Sequence, residues 1–236
     1  MGSPYHQFCP VAKTMELLDE RWTLLVIREL AAGSEHFNDL RRGLPRMSPT
    51  LLSKRLHRLV AGGVVARRTD RGEVRYVLTP AGEELRPVIE ALGAWGTRWI
   101  TELGDEDLDP HLLMWDVHRN VDTTAVPTGR TVVRFEFPSL RGKGRDWWVV
   151  ITPPTTDVCD FDPGFDVAAT VTADLRSMVL VWRGDLGWGE ALRSGGIALQ
   201  GSQAVRRALP QWFALSPFAR VPRPGGAEVE QVGAGG

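Results

Sequence analysis

The chain has 236 residues, 43% of them hydrophobic, a formal net charge of -1 and two cysteines, which is enough for one large domain or two modest ones with real cores. No run of about 18 apolar residues is present, which argues against a membrane-spanning helix. The opening MGSPYHQF has neither a secretory apolar region nor the Ser/Thr of a myristoylation motif, and Cys9 and Cys159 lie far apart, so the expectation is a cytoplasmic protein of two domains with reduced thiols.

The first segment, CPVAKTMELLDERWTLLVIRELAAG, reads as two short helices, with Pro10 at a helix start and Leu24, Ile27 and Leu30 at helical spacing up to Gly33. SEHFNDLRRGLP follows as a third, with Ser34 as N-cap, Phe37, Leu40 and Leu44 on the buried side and Pro45 as its end. A fourth helix starts in SPTLLSKRLHRL. Ser48 is the N-cap, Pro49 occupies the first helical position and Gly62-Gly63 supplies the stop. Helical periodicity gathers Leu52, Leu56, Leu59 and Val60 into one apolar stripe. It collects Thr50, Lys54, His57 and Arg58 on the far side with no acidic partner.

The segments VVARRT and VRYVLT around DRGE predict a short hairpin with its turn at Asp70 to Gly72 and Arg71 at the tip. Thr79-Pro80 repeats the cap-then-proline device and opens a long helix over 80–103, kinked by Pro87. Its Leu85, Val88, Leu92, Trp95 and Trp99 follow an alternating spacing of three and four, a seam suited to a partner helix. Packing of that seam on its own domain is the alternative.

The acidic stretch GDEDLDP, 104–110, marks a boundary by composition. Beyond it HLLMWDVHRNV reads as a helix and TVVRFEF, WWVVIT, DVCDF and DVAATVTA as strands, WWVVIT being apolar on both faces like a central strand. DLRSMVLVW and SQAVRRALPQWF, the latter capped by Ser202, return to helical spacing. This half is α+β, and the tail 222–236, rich in Gly and Pro, is expected to be disordered.

Charge is unevenly spread. Residues 41–75 carry ten Lys/Arg against Asp70 and Glu73, while from 104 onward 13 basic residues face 17 acidic ones. A basic block within a nearly neutral chain points to a polyanion contacted by one region. Three helices, a capped basic helix, a basic-tipped hairpin and a trailing helix is the order of a winged helix-turn-helix, whose recognition helix fits the major groove of double-stranded DNA, about 12 Å wide. On this reading Thr50, Lys54, His57 and Arg58 face the groove beside Ser48, Arg71 and Arg75 reach phosphate or the minor groove, and Arg41, Arg42 and Arg46 contact the backbone.

No catalytic constellation is present: no G-x-S-x-G, H-E-x-x-H, paired C-x-x-C or Walker loop, and GKGRDW lacks the remainder of a nucleotide motif. His111 and His118 near Asp116 read as surface residues rather than metal ligands. No enzyme activity, cofactor or metal is expected.

Cys9-Pro10, RWTLLVIREL, FNDLRRGLPRMS, LLSKRLHRLVAGGVV, YVLTPAGEEL and Trp95-Gly96 occur in order over residues 8–103. That run resembles the HxlR-type winged helix-turn-helix regulators, relatives of the MarR group. The resemblance implies a homodimeric DNA-binding transcription factor, commonly a repressor, whose terminal helices join the protomers. The wing, TDRGEV, is shorter than usual for that group. Some members sense oxidants or electrophiles through the cysteine matching Cys9, where a helix N-terminus favours the thiolate; a small buried residue is the alternative.

DVAATVTADLRSMVLVWRGDLGWGEALRSGGIALQGSQAVRRALPQWF resembles, more loosely, the sterol carrier protein-like fold, placed here at 111–221 after a linker at 104–110. That implies an apolar cavity for a hydrophobic small molecule. Trp115, Phe135, Trp148, Val171, Trp182 and Trp212 are candidates to line it, or else to fill a core. Together the halves describe an operator-binding regulator with a sensing domain. The competing reading is a carrier of a lipid-like metabolite that keeps the winged helix for dimerisation.

Overall fold

The computed structural model describes residues 4–100 and 102–223 and divides into two compact units, Met1–Gly93 and Ala94–Gly236. Helices α1 (Pro10–Leu18), α2 (Thr23–Ala31), α3 (Phe37–Gly43) and α4 (Pro49–Ala61) are followed by the hairpin β1 (Val65–Asp70) and β2 (Glu73–Leu78). Val26, Ile27, Leu30, Leu40, Leu44, Leu52, Leu56 and Leu59 form one buried cluster. Ser48 caps α4 as its sequence indicates, its hydroxyl oxygen accepting the Leu51 N–H at 3.3 Å, with Pro49 at the first helical position.

The hairpin closes in two residues: Asp70 pairs with Glu73, and Arg71 and Gly72 both have positive φ, 49° and 89°. This backbone suits the right-handed twist of paired strands, and Gly72 adopts it at no steric cost. The Tyr76 N–H donates to the Glu35 carbonyl at 2.8 Å, tying the hairpin to the segment before α3. A hairpin across a helical core with α4 exposed beside it is the winged helix-turn-helix arrangement.

Two local expectations are corrected in this unit. Ser34 is not an N-cap: it is buried and its hydroxyl donates to the Glu29 carboxylate at 3.3 Å, while α3 begins after His36 without a side-chain cap. The single long helix is instead two, α5 (Pro80–Glu83) and α6 (Arg86–Trp99). Pro87 is the second residue of α6, where its missing N–H is harmless; as the interior of one long helix it would clash with the preceding turn, so the chain breaks there. Thr79 caps α5, accepting the Gly82 N–H at 3.2 Å and donating to the Gly63 carbonyl at 2.6 Å. A Cβ on Gly82 would lie 2.2 Å from the Val64 carbonyl oxygen, so that position of the Thr-Pro-Ala-Gly run admits only glycine.

The second unit contains α7 (Pro110–Arg119), β3 (Thr131–Glu136), β4 (Asp146–Thr152), β5 (Thr155–Cys159), β6 (Ala169–Ala173), α8 (Leu175–Arg183), α9 (Trp188–Ser194), β7 (Ile197–Gly201) and α10 (Gln203–Trp212). Its sheet runs β5-β4-β3-β6-β7, with β3 and β6 parallel and the other neighbours antiparallel. This is a mixed sheet with helices packed on it. Val133, Phe135, Trp147, Val149 and Val171 share one core with residues of α7, α8 and α10. The alternate residues Arg134 and Trp148 pair across β3 and β4, with the guanidinium 5.4 Å from the indole centre and 3.0 Å from Asp146.

The acidic stretch joins this second unit: Asp105–Asp107 form a single 3-10 turn, and Arg176 binds Asp105 at 2.6 Å and the Leu103 carbonyl at 3.0 Å. Residues 224–236 of the expected tail lie outside the described residues. Arg223 is described, donating to the Arg183 carbonyl at 2.9 Å and pairing with Asp185 at 2.5 Å.

His118 is not the surface residue expected. It is buried, its Nδ1 contacts the Trp115 carbonyl, and its own carbonyl accepts from the Thr156 hydroxyl at 2.9 Å. A carbonyl can only accept, so Nδ1 carries the proton. His111 lies edge-on to Trp147, ring centres 4.9 Å apart. Burial holds the His118 pKa down to about 4, with the neighbouring Arg119 acting in the same direction against the backbone contact. The imidazole is therefore neutral in the fold, whereas an unfolded chain protonates it near pH 6.5. The contribution is fully present above that value and is lost as the pH falls toward 4, by up to about 1.4 kcal/mol per pH unit. Urea unfolding of the wild type and of His118→Gln between pH 7 and pH 4.5 checks this, the variant showing the shallower dependence.

Candidate nucleic-acid interface

The helix α4 divides its faces almost as its spacing indicates. Leu52, Leu56 and Leu59 are buried, whereas Val60, expected on the same stripe, is 36% exposed. Arg55 takes its place on the docked side: it is i+3 from Leu52 and i-4 from Leu59, is only 8% exposed, and its Nε donates to the Arg21 carbonyl at 3.0 Å. Both Arg55 and Arg58 form ion pairs with Glu20, in the loop between α1 and α2, and Arg58 also donates to the Glu16 carbonyl. The expectation that Arg58 has no acidic partner is therefore corrected. Periodicity along α4 cannot reveal an acid thirty-eight residues earlier in the chain.

Thr50, Lys54 and His57 are exposed on the outer face of α4. Among the described residues no acidic group pairs with Lys54, and His57 directs Nδ1 to the Ser53 carbonyl at 2.8 Å. Arg41 and Arg42 lie in the last turn of α3, and Arg46 precedes the Ser48 cap; all three are exposed. Arg71 stands exposed at the hairpin tip. Arg75 is held loosely, 3.6 Å from both Glu35 and Glu73. Arg67 and Arg68, which belong to the basic block of 41–75 but not to the expected contact residues, are exposed on β1 and lie opposite Tyr76 and Arg75. Arg68 beside Arg75 is a like-charge cross-strand pair, an arrangement that costs stability unless an anion lies against it.

Outside the basic face, Val88, Leu92, Trp95 and Trp99 are 45%, 49%, 55% and 44% exposed along α6, whereas Leu85 precedes that helix and packs against the core of the first unit. Cys9 is half-buried immediately before α1, and neither cysteine is in a disulfide.

Five of the six candidate pocket residues belong to one core cluster. Trp115, Phe135, Val171, Trp182 and Trp212 pack together in the core of the second unit, and Trp148 lies outside that cluster, with Arg134 over its ring. Single-residue type does not separate an aromatic that fills a core from one that lines a pocket.

Comparison with known proteins agrees with this geometry. Residues 17–103 match the model of the HxlR-like helix-turn-helix family. The uncharacterised HTH-type transcriptional regulator YvaP of Bacillus subtilis is 34% identical over 98 residues, which is 40% of this chain and 91% of YvaP. A regulator of the same description from Synechocystis, sll1512, is 34% identical over 97 residues, covering 40% of this chain and 72% of that one. Among solved structures, the reduced form of the transcriptional regulator YodB from B. subtilis is 30% identical, over 42% of this chain and 100% of YodB, with a TM-score of 0.36. The ordered helices, the capped basic helix and the two-residue wing lie where that family model matches, and the chain belongs to the HxlR-like helix-turn-helix family of transcriptional regulators.

Proposed function

We propose that this regulator binds a double-stranded DNA operator as a homodimer, represses transcription from it, and senses a hydrophobic small molecule through its C-terminal domain. The observation that carries the DNA-binding part is the outer face of α4: Thr50 and Lys54 stand exposed and uncommitted beside His57, with exposed Arg41, Arg42 and Arg46 in the segment before the helix and exposed Arg71 and Arg75 in the hairpin after it. Lys54 donates to guanine or phosphate, Thr50 and Ser48 contact the backbone near the helix N-terminus, and the wing arginines neutralise phosphates. Arg58 contributes charge, but through a guanidinium already shared with Glu20.

The exposed apolar stripe on α6 supports the homodimer, since two Trp, a Leu and a Val left in water favour a partner surface of the same kind. The domains proposed are 8–103 for DNA binding and dimerisation, 104–110 as the joining segment and 111–221 for sensing. The succession β6, α8, α9, β7 and α10 on one mixed sheet supports a sterol carrier protein-like fold for the last of these. Thiol sensing through Cys9 is a second reading, supported by its half-buried position at the start of α1.

Three outcomes are expected. Operator affinity falls steeply with salt, with a log-log slope near -0.9 for each phosphate neutralised; Lys54→Ala reduces that slope by about 1 if Lys54 meets phosphate, or costs about 1–3 kcal/mol with relaxed preference at one base pair if it reads an edge. A weak, salt-insensitive association would instead favour the carrier. Trp95→Glu weakens the dimer by more than about tenfold, as expected for a buried aromatic anchor, read by sedimentation equilibrium. Diamide lowers operator affinity in the wild type and leaves Cys9→Ser unchanged; an unaffected wild type ends the thiol reading.

A further inference from the structure

The second unit has an open groove of about 490 Å³ between α9, β7 and α10, at the edge of the sheet. Leu192 and Leu199 give it apolar lining over the buried Ile197, and Gln203, Arg206 and Arg207 stand along the first turns of α10. We propose that this groove, rather than the tryptophan-filled core, takes the small molecule, and that the ligand is an organic acid with a short apolar body.

Like the exposed Arg141, Arg193 and Arg220 of the same unit, Arg206 and Arg207 have no acidic partner among the described residues, and these two line the groove. Arg119, Arg134, Arg176, Arg183 and Arg223, by contrast, each hold an Asp or Glu within the same unit. Two guanidiniums beside an apolar lining suit a carboxylate joined to an apolar group, since guanidinium donors match carboxylate geometry and the lining covers the remainder. The volume lies within the range of small-molecule sites, about 300–1,000 Å³. An open groove on the sheet edge covers a short body well and a long acyl chain poorly.

The inference rests on the reading of this half as the sensing domain, so ligand binding and its effect on DNA are measured separately. The full chain is titrated by calorimetry with 4-phenylbutyrate and with its uncharged amide, which share one apolar body. The acid is expected to bind at least about tenfold more tightly, and R206Q/R207Q to bring it to the affinity of the amide, while R206K/R207K, which keeps the charge without the planar fork, retains only part of the preference. No binding of the acid, equal affinity for acid and amide, or a preference that survives R206Q/R207Q overturns the proposal. So does a change of oligomeric state in R206Q/R207Q without ligand binding, which would make the groove a contact between copies. Affinity for a DNA fragment selected on the protein is followed in parallel. Acid binding that leaves DNA affinity unchanged keeps the groove and removes the sensing reading; DNA affinity that responds equally in R206Q/R207Q removes the groove and keeps sensing.

Discussion

Apolar burial sets how deeply α4 sits on the first unit, but the carboxylate of Glu20, shared between Arg55 and Arg58, sets which way round the helix faces. A leucine stripe tolerates some rotation, because dispersion and burial are non-directional. Two guanidiniums converging on one carboxylate are not so tolerant, since their donors are fixed in planar forks. With Arg55 and Arg58 held at Glu20 the helix cannot turn about its axis, and Thr50, Lys54 and His57 stay on its exposed face. The loop that brings Glu20 into place contains Trp22 at φ 78°, a left-handed conformation that a bulky residue normally avoids. Such a conformation persists where its surroundings over-determine it, and here the ion pairs and the Arg55 contact with the Arg21 carbonyl do so. Removing one partner of a largely buried pair of this kind costs about 3–5 kcal/mol, more than most exposed contacts contribute.

The same clamp reduces the basic field. Of the ten cations between residues 41 and 75, Arg55 and Arg58 are neutralised within the fold and Arg75 is partly compensated by Glu35 and Glu73. The positive surface that remains runs through Arg41, Lys54, Arg67, Arg68 and Arg71, so the wing holds a larger share of it than a count along the chain conveys. A short two-residue wing with Arg71 at its tip still places a charge at the end of the hairpin, because the turn itself consists of Arg71 and Gly72.

Local signals in the sequence were reliable wherever the chemistry was local. Ser48-Pro49 starts α4, Ser202 starts α10 and Gly33, with φ 94°, ends the second helix region, because caps and left-handed glycines act on residues within one turn. The strands of the second unit were legible for the same reason, alternation being a property of the strand itself. Ser34 failed as a cap because a buried carboxylate, Glu29, claims its hydroxyl, and the long helix failed because Pro87 suits the start of α6 better than the interior of a longer one. Arg58 and His118 failed for a shared reason. Whether a polar or aromatic side chain meets solvent, a partner or a core depends on elements distant in sequence, and composition is blind to that.

The two proposed anion sites differ in what surrounds them, and that difference separates their ligands. Lys54 and the wing arginines stand on polar surfaces, suited to a phosphodiester chain whose apolar parts stay stacked inside a duplex. Arg206 and Arg207 stand beside Leu192 and Leu199, suited to an anion that brings its own apolar body. In the proposed dimer a small molecule would alter DNA affinity only by binding two forms unequally, and a tenfold change needs about 1.4 kcal/mol of difference. One hydrogen bond to a charged group is worth about 1.5–3 kcal/mol, so a single guanidinium contact made in one form and absent from the other is sufficient. The element that can carry such a difference is α6, within which the two units divide and whose exposed stripe is the proposed meeting surface of two copies. In the proposed dimer two recognition helices would have to match half-sites about 34–36 Å apart, so a small change in how two α6 helices pack would bring α4 into register with DNA or take it out.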